Sequence, residues 1–259
     1  MTRTDLQQLR VAITGGTSGL GGALVTELIR RNARVAFVAR HREAVDATLR
    51  RLPRAPGAQH HLDAPRQPAS GHAHGIVGDV ARREDVHPIA IQIVAALGGL
   101  DALINNASSL GPVPLALLAD TECEELELAL ATNVVGPFRL TKALLGPLAA
   151  SARDGGQPLV INVSSDAAIT PYPMWGAYGA SKAALLHLTR IWDAELASEG
   201  VRLVSIDPGD MDTPLHALAV PDADPATLKR PEVAAREIAD LIASHVITPR
   251  LAYRSEVLQ

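Results

Sequence analysis

Tyr178-Gly-Ala-Ser-Lys182 sets a phenol and an ammonium four residues apart, the spacing that brings two side chains to one face of a helix. A free phenol exchanges its proton at a pH of about 10, so acid and base work near neutrality calls for a neighbouring cation that favours phenolate. Lys182 stands where such a cation is needed. Taken alone, the pair also reads as a helix contact without chemistry. A second segment, Thr14-Gly15-Gly16-Thr17-Ser18-Gly19-Leu20-Gly21, precedes the amphipathic run Gly22-Ala-Leu-Val-Thr-Glu-Leu. Its glycines permit a tight turn and a close approach of backbone to a pyrophosphate, while the amides and dipole at the helix start face the anion. Thr17 and Ser18 add hydroxyl donors. Glycines serve ordinary turns as well, and it is the apolar run before them and the helix after them that favour the phosphate reading.

These residues need elements to hold them, and the periodicity supplies a consistent set. Short apolar runs at Arg10 to Thr14, Arg34 to Ala39, Gly75 to Asp79, Leu100 to Asn105, Leu159 to Val163 and Val201 to Ile206 read as strands buried on both faces. The stretches between them are long enough for right-handed crossover helices, which predicts a doubly wound parallel α/β sheet of three layers, a Rossmann-like arrangement. Two helices read as long, about Thr121 to Ala150, with interruptions possible at Gly136-Pro137 or Gly146-Pro147, and about Trp175 to Ser198. Both are candidates for an oligomer interface. A further helix is expected around Glu232 to Ser244, and the tail after Ile247 holds at most one short polar strand.

No internal repeat and no second composition regime marks a domain boundary, so residues 1–259 read as a single domain. Pro53 to His74 breaks the rhythm with four prolines and with His60, His61, His72 and His74, and reads as an inserted surface loop. No regular spacing aims those histidines at one point, so no metal site is expected. The 259 residues are 47% apolar and carry a formal charge of −4, which supports a sizeable core and argues against a nucleic-acid binder. The single cysteine, Cys123, excludes an internal disulfide, and its neighbours Glu122 and Glu124 discourage a nucleophilic role. The first residues lack the apolar stretch of a signal peptide and no run is long enough to span a membrane, so a cytoplasmic protein is expected.

The second strand ends Val38-Ala39-Arg40-His41-Arg42. In dinucleotide folds an acid at that point accepts hydrogen bonds from the adenosine ribose, whereas a 2′-phosphate needs a cation. Ala39 occupies the acid's place and Arg40 follows, so NADP(H) is expected to bind better than NAD(H), unless Arg40 merely decorates a solvated helix start.

With the Thr-Gly-x-x-x-Gly-x-Gly loop and Tyr-x-x-x-Lys, the chain from about Arg10 to Ser244 resembles the short-chain dehydrogenase/reductases, in their short single-domain branch. The resemblance implies that Gly15, Thr17, Ser18, Gly19, Leu20 and Gly21 cradle the cofactor and that Asp79 and Val80 contact its adenine. Asn105-Asn106-Ala107 resembles the family's Asn-Asn-Ala-Gly motif, so Asn106 and Ala107 join the cofactor set, with Ser108 in place of the usual glycine. Pro208, Gly209 and Thr213 are then expected beside the nicotinamide. Ser165 lies 13 residues before Tyr178, the family's interval, which leaves Ser164 to a structural hydrogen bond. Asn133 matches the family's helix asparagine, which can hold a water against Lys182.

By this resemblance Asn133, Ser165, Tyr178 and Lys182 form the catalytic set, with Tyr178 protonating a carbonyl oxygen, Ser165 orienting it and Lys182 also gripping the nicotinamide ribose. The implied activity is hydride exchange between nicotinamide and a carbonyl or secondary alcohol. A non-catalytic NADP(H)-binding redox sensor is the alternative, disfavoured by the complete reacting set. A cofactor-using lyase or epimerase is disfavoured because no extra C-terminal domain is present to bind a nucleotide sugar. Leu215 to Lys229 corresponds to the substrate cover, and Ala168, Met174, Trp175, Met211 and His216 are candidate lining residues that read equally as packing or surface. The family's glycine-rich ending is absent after Ile247, so a homodimer through the long helices is expected, with a tetramer as the alternative.

Overall fold

In the computed structural model, residues 6–53 and 73–247 are described. Six strands form one parallel sheet: β1 (Arg10–Thr14), β2 (Arg34–Ala39), β3 (Ala73–Val77), β4 (Ala102–Asn105), β5 (Leu159–Val163) and β6 (Arg202–Ile206), in the order β3-β2-β1-β4-β5-β6. The connecting helices are α1 (Gly19–Arg30), α2 (Arg42–Arg51), α3 (Arg83–Leu97), α4 (Cys123–Leu130), α5 (Gly136–Arg153), α6 (Gly176–Leu196), α7 (Pro214–Ala219) and α8 (Pro231–Ile247). Alternate residues of the strands feed two separate cores. Val11, Ile13, Val35 and Ile104 pack with Leu24 and Leu28 of α1 and Ile238 and Ile242 of α8. Ala12, Val38, Leu103 and Val160 pack with Ile89 and Ile93 of α3 and Leu140 and Leu144 of α5. Truncating one of these fully buried leucines to alanine is expected to cost about 2–5 kcal/mol.

The strand order reverses between β1 and β4, which opens a crevice at the carboxyl ends of the strands. Every candidate loop leaves from that edge. The third strand departs from its expected position: it runs two residues earlier, because pairing with β2 starts at Val35 with Ala73 and ends at Ala39 with Val77. Gly78 then donates its N–H to the Ala39 carbonyl at 3.0 Å and the chain turns, so Asp79 and Val80 follow the strand rather than end it. His74 is likewise a strand residue opposite Ala36, not part of a loop, and the rest of the expected insertion, residues 54–72, lies outside the described residues. β4 starts at Ala102 and β6 at Arg202, each slightly later than expected.

The expected helix at 121–150 begins at Cys123, where Glu122 and Glu125 bond each other's backbone in a capping box. It changes to a π turn at Ala131–Val135 and resumes as α5 from Gly136 through Pro147 to Arg153. The interruption therefore falls just before Gly136-Pro137, not at Gly146-Pro147. The last helix is longer than expected and reaches Ile247, and the tail from residue 248 onwards lies outside the described residues. No described helix is long and apolar enough to cross a membrane.

Candidate active site

The turn after β1 is held from across the sheet. Thr14 Oγ1 accepts from the backbone N–H groups of Asn106 and Ala107, both at 3.0 Å. Asn106 Nδ2 in turn donates to the carbonyls of Thr14 at 2.9 Å and Gly15 at 3.2 Å. Gly15 has φ +70°, and a Cβ on Gly21 would run into the Gly15 carbonyl oxygen. Only glycine serves at either position. Ser18 precedes α1 in extended conformation without a side-chain cap bond, and the first turn of α1 holds no acid. Its leading N–H groups are thus uncommitted to a cap, which suits a bound phosphate. Thr213 lies against Gly19, so the segment after β6 reaches the same turn.

Arg40 is exposed directly beyond β2, and Gly15 and Gly16 both donate to the Val38 carbonyl two residues before it. Asp79 stands past the neighbouring β3 and accepts from the Ala81 N–H at 2.9 Å, while Val80 is buried. These residues can receive an adenosine end, and the donor set fits a dinucleotide. At the other end, Pro208 is buried and Gly209, at φ +77°, donates to Asp207 Oδ1 at 2.9 Å.

Tyr178 and Lys182 lie one turn apart near the start of α6, 8% and 2% exposed. Lys182 Nζ donates to the Val163 carbonyl at 2.8 Å and lies 5.4 Å from the centre of the Tyr178 ring. Burial brings the Lys182 ammonium down to about 8, opposed by the charge of Asp207. Burial pushes the Tyr178 phenol up to about 12; the Ser165 and Ser108 hydroxyls pull it down, while Asp207 and Asp166 add to the rise. In the protein without cofactor the Lys182 ammonium is turned onto the β5 carbonyl, and burial is the largest influence on the phenol.

Ser165 begins the short turn Asp166–Ala168 that follows β5. Its Oγ accepts from the Ala167 N–H at 3.2 Å and donates to Asp166 Oδ1 at 2.9 Å. Asn133 is fully buried in the π turn, where Nδ2 donates to the Ser109 carbonyl at 2.7 Å and to Ser181 Oγ at 2.8 Å. Its Oδ1 accepts from the Ser109 N–H at 2.8 Å. The side chain thus ties the turn after β4 to α6. Ser164 makes a structural hydrogen bond through its backbone N–H to the Ile206 carbonyl at 2.7 Å, while its buried Oγ has no partner among the described residues.

Trp175, Leu215 and Ala219 pack around Leu110, Ala167 and Tyr178, so the cover region does meet the reacting residues. Met174 is exposed at φ +72°, and His216 lies 3.9 Å from Asp210. Met211 instead packs against the core shared by α1 and α8. Residues 10–224 match the family of short chain dehydrogenases.

The chain belongs to the short-chain dehydrogenase/reductase family. A 2,5-dichloro-2,5-cyclohexadiene-1,4-diol dehydrogenase from Sphingobium indicum is 30% identical over 214 residues, covering 82% of this chain and 76% of the relative. A short chain dehydrogenase from Shigella flexneri complexed with NADP superposes with a TM-score of 0.76 at 25% identity, covering 93% of this chain and 92% of that one. A 3-ketoacyl-(acyl-carrier-protein) reductase from Brucella melitensis complexed with NADH gives a TM-score of 0.78 over 92% of each chain, a likeness of fold at 23% identity. As a short-chain dehydrogenase/reductase, this protein is an oxidoreductase. Two groups in the site of this short-chain dehydrogenase were passed over in the sequence. Asp166 bonds Ser165 directly, and the signal was only its place after the serine; Asp207 acts on both Tyr178 and Lys182 from beyond β6.

Proposed function

We propose that the protein transfers a hydride between NADP(H) and a ketone, aldehyde or secondary alcohol. The observation that carries this reading is the buried pair Tyr178 and Lys182 beside Ser165, at the edge of the crevice that the glycine turn shares. The bound nicotinamide supplies or takes the hydride. The chain's own residues orient the substrate and move the proton. A phenol raised to about 12 stays protonated across the working range and is suited to giving its proton to the carbonyl oxygen during reduction. Ser165 holds that oxygen by a hydrogen bond. Lys182 keeps a positive charge under the ribose region, and Asn133 fixes α6 against the turn after β4.

NADP(H) is preferred because no carboxylate stands at the end of β2 to repel a 2′-phosphate, and Arg40 is exposed there with a forked donor set. The test is a fluorescence titration of the protein with NADPH and with NADH, repeated on Arg40→Ala. Tighter NADPH binding that falls about tenfold or more in the variant, with NADH little changed, is the expected result. An NADH preference would dismiss the role of Arg40, and binding of neither would dismiss the oxidoreductase reading.

A further inference from the structure

Asp166 touches the reacting set. Its Oδ1 accepts the Ser165 hydroxyl at 2.9 Å, and its Oδ2 accepts the Tyr172 hydroxyl at 2.6 Å. The second bond holds the carboxylate in place, so that Oδ1 stays on Ser165. A serine hydroxyl has one hydrogen. In the reduction proposed above that hydrogen must point at the substrate oxygen, yet in the free protein it is given to Asp166. Binding a simple ketone therefore takes the serine donor away from Oδ1, and on this exposed carboxylate only water replaces it. A direct hydroxyl donor to a carboxylate makes a stronger, charge-assisted hydrogen bond.

A substrate that carries a hydroxyl on the carbon next to its carbonyl supplies one. As Ser165 turns to the carbonyl oxygen, the substrate hydroxyl donates to Oδ1 in its place. We propose that Asp166 selects α-hydroxycarbonyl substrates, and vicinal diols in the oxidising direction, by accepting this hydrogen bond. The redox step is unchanged: the carbonyl carbon is reduced with NADPH as the hydride source, its oxygen takes the Tyr178 proton, and Asp166 only accepts a hydrogen bond. Neighbouring groups agree with an uncharged hydroxylated substrate. Asp207 and Asp166 both act on Tyr178, Asp210 lies beside His216, and Ile169, Tyr172 and Met174 present exposed apolar surface on the segment that follows Asp166.

This inference rests on the carbonyl reduction proposed above, and the test separates the two. With NADPH, kcat/KM is measured for 2-hydroxycyclohexanone and for cyclohexanone in the wild type, Asp166→Asn, Asp166→Ala and Tyr172→Phe. The wild type is expected to favour the hydroxyketone by about tenfold or more. Asp166→Ala should bring the ratio close to one, mainly through the KM of the hydroxyketone. Asp166→Asn, whose amide oxygen still accepts, should keep part of the preference, and Tyr172→Phe should weaken it. A wild type without the preference, or a ratio unchanged in Asp166→Ala, overturns the role of Asp166 while leaving carbonyl reduction standing. Turnover of neither ketone by a wild type that binds NADPH overturns the carbonyl reduction and this inference with it.

Discussion

Lys182 Nζ donates to the carbonyl oxygen of Val163, the last residue of β5, at 2.8 Å. The bond fixes the ammonium beneath the crevice in surroundings that bring its proton affinity down to about 8. Below that pH the site carries a positive charge, and above it the charge is lost. Reduction is therefore expected to be flat up to a pH of about 8 and to fall about tenfold per unit beyond it, read as kcat/KM against pH. The same shift has a stability consequence of definite sign. The folded protein binds fewer protons than the unfolded chain between about 8 and the ordinary 10.5, so this group opposes folding below that window and the penalty fades as pH rises through it. Urea unfolding at pH 7 and pH 9 should show a gain with pH in the wild type that is smaller in Lys182→Met.

Burial holds the Tyr178 proton to high pH, at about 12. Tyr178→Phe keeps the ring, its packing on Trp175 at 5.7 Å and the helix face, and removes only the proton. Turnover of any carbonyl substrate should fall by about 10² to 10⁴, with the NADPH dissociation constant changed by less than about threefold. Retained turnover would assign the proton to another group.

Asn133 joins two segments far apart in the chain through three hydrogen bonds, two part-buried ones to the Ser109 backbone and a buried one to Ser181. Removing the amide takes these bonds from the half-buried Ser109 backbone and from the buried Ser181 hydroxyl, which keeps its bond to the Tyr178 carbonyl. Asn133→Ala is expected to lower stability by about 2–4 kcal/mol, measured by urea unfolding. A loss below about 0.5 kcal/mol would show that the serines find other partners.

The strands that were read correctly, β1, β2 and β5, are those whose apolar runs end at an unambiguous polar or glycine residue. For β3, two overlapping five-residue windows satisfy the same pattern, and the choice between them is made by pairing with β2, a relationship that lies in another part of the sequence. The π turn at Ala131–Val135 has no local residue signature comparable to Gly136-Pro137, yet it is the turn that buries Asn133 between Ser109 and Ser181. Tyr178 and Lys182 are legible because helical spacing puts them on one face and because the glycine loop and Ser165, 13 residues earlier, accompany them. Asp166 is not, because its meaning comes from the short turn after β5 that folds its carboxylate back onto Ser165 and brings Tyr172 to the other oxygen.

Ser108 occupies the position of the glycine in the motif that this chain resembles, and its buried Oγ has no hydrogen-bond partner among the described residues. It lies close enough to Tyr178 to favour the phenolate alongside Ser165. Restoring glycine removes one of the two hydroxyls that oppose the effect of burial, so the phenol should hold its proton more tightly still. Alcohol oxidation, which needs the phenolate, bears the cost, whereas reduction starts from the phenol and does not. In Ser108→Gly and Ser108→Ala alike, oxidation at pH 9 is expected to fall about threefold, with reduction at pH 7 little altered. Equal losses in both directions would instead mean that Ser108 shapes the crevice, and no loss in either would leave its hydroxyl without a part in proton handling.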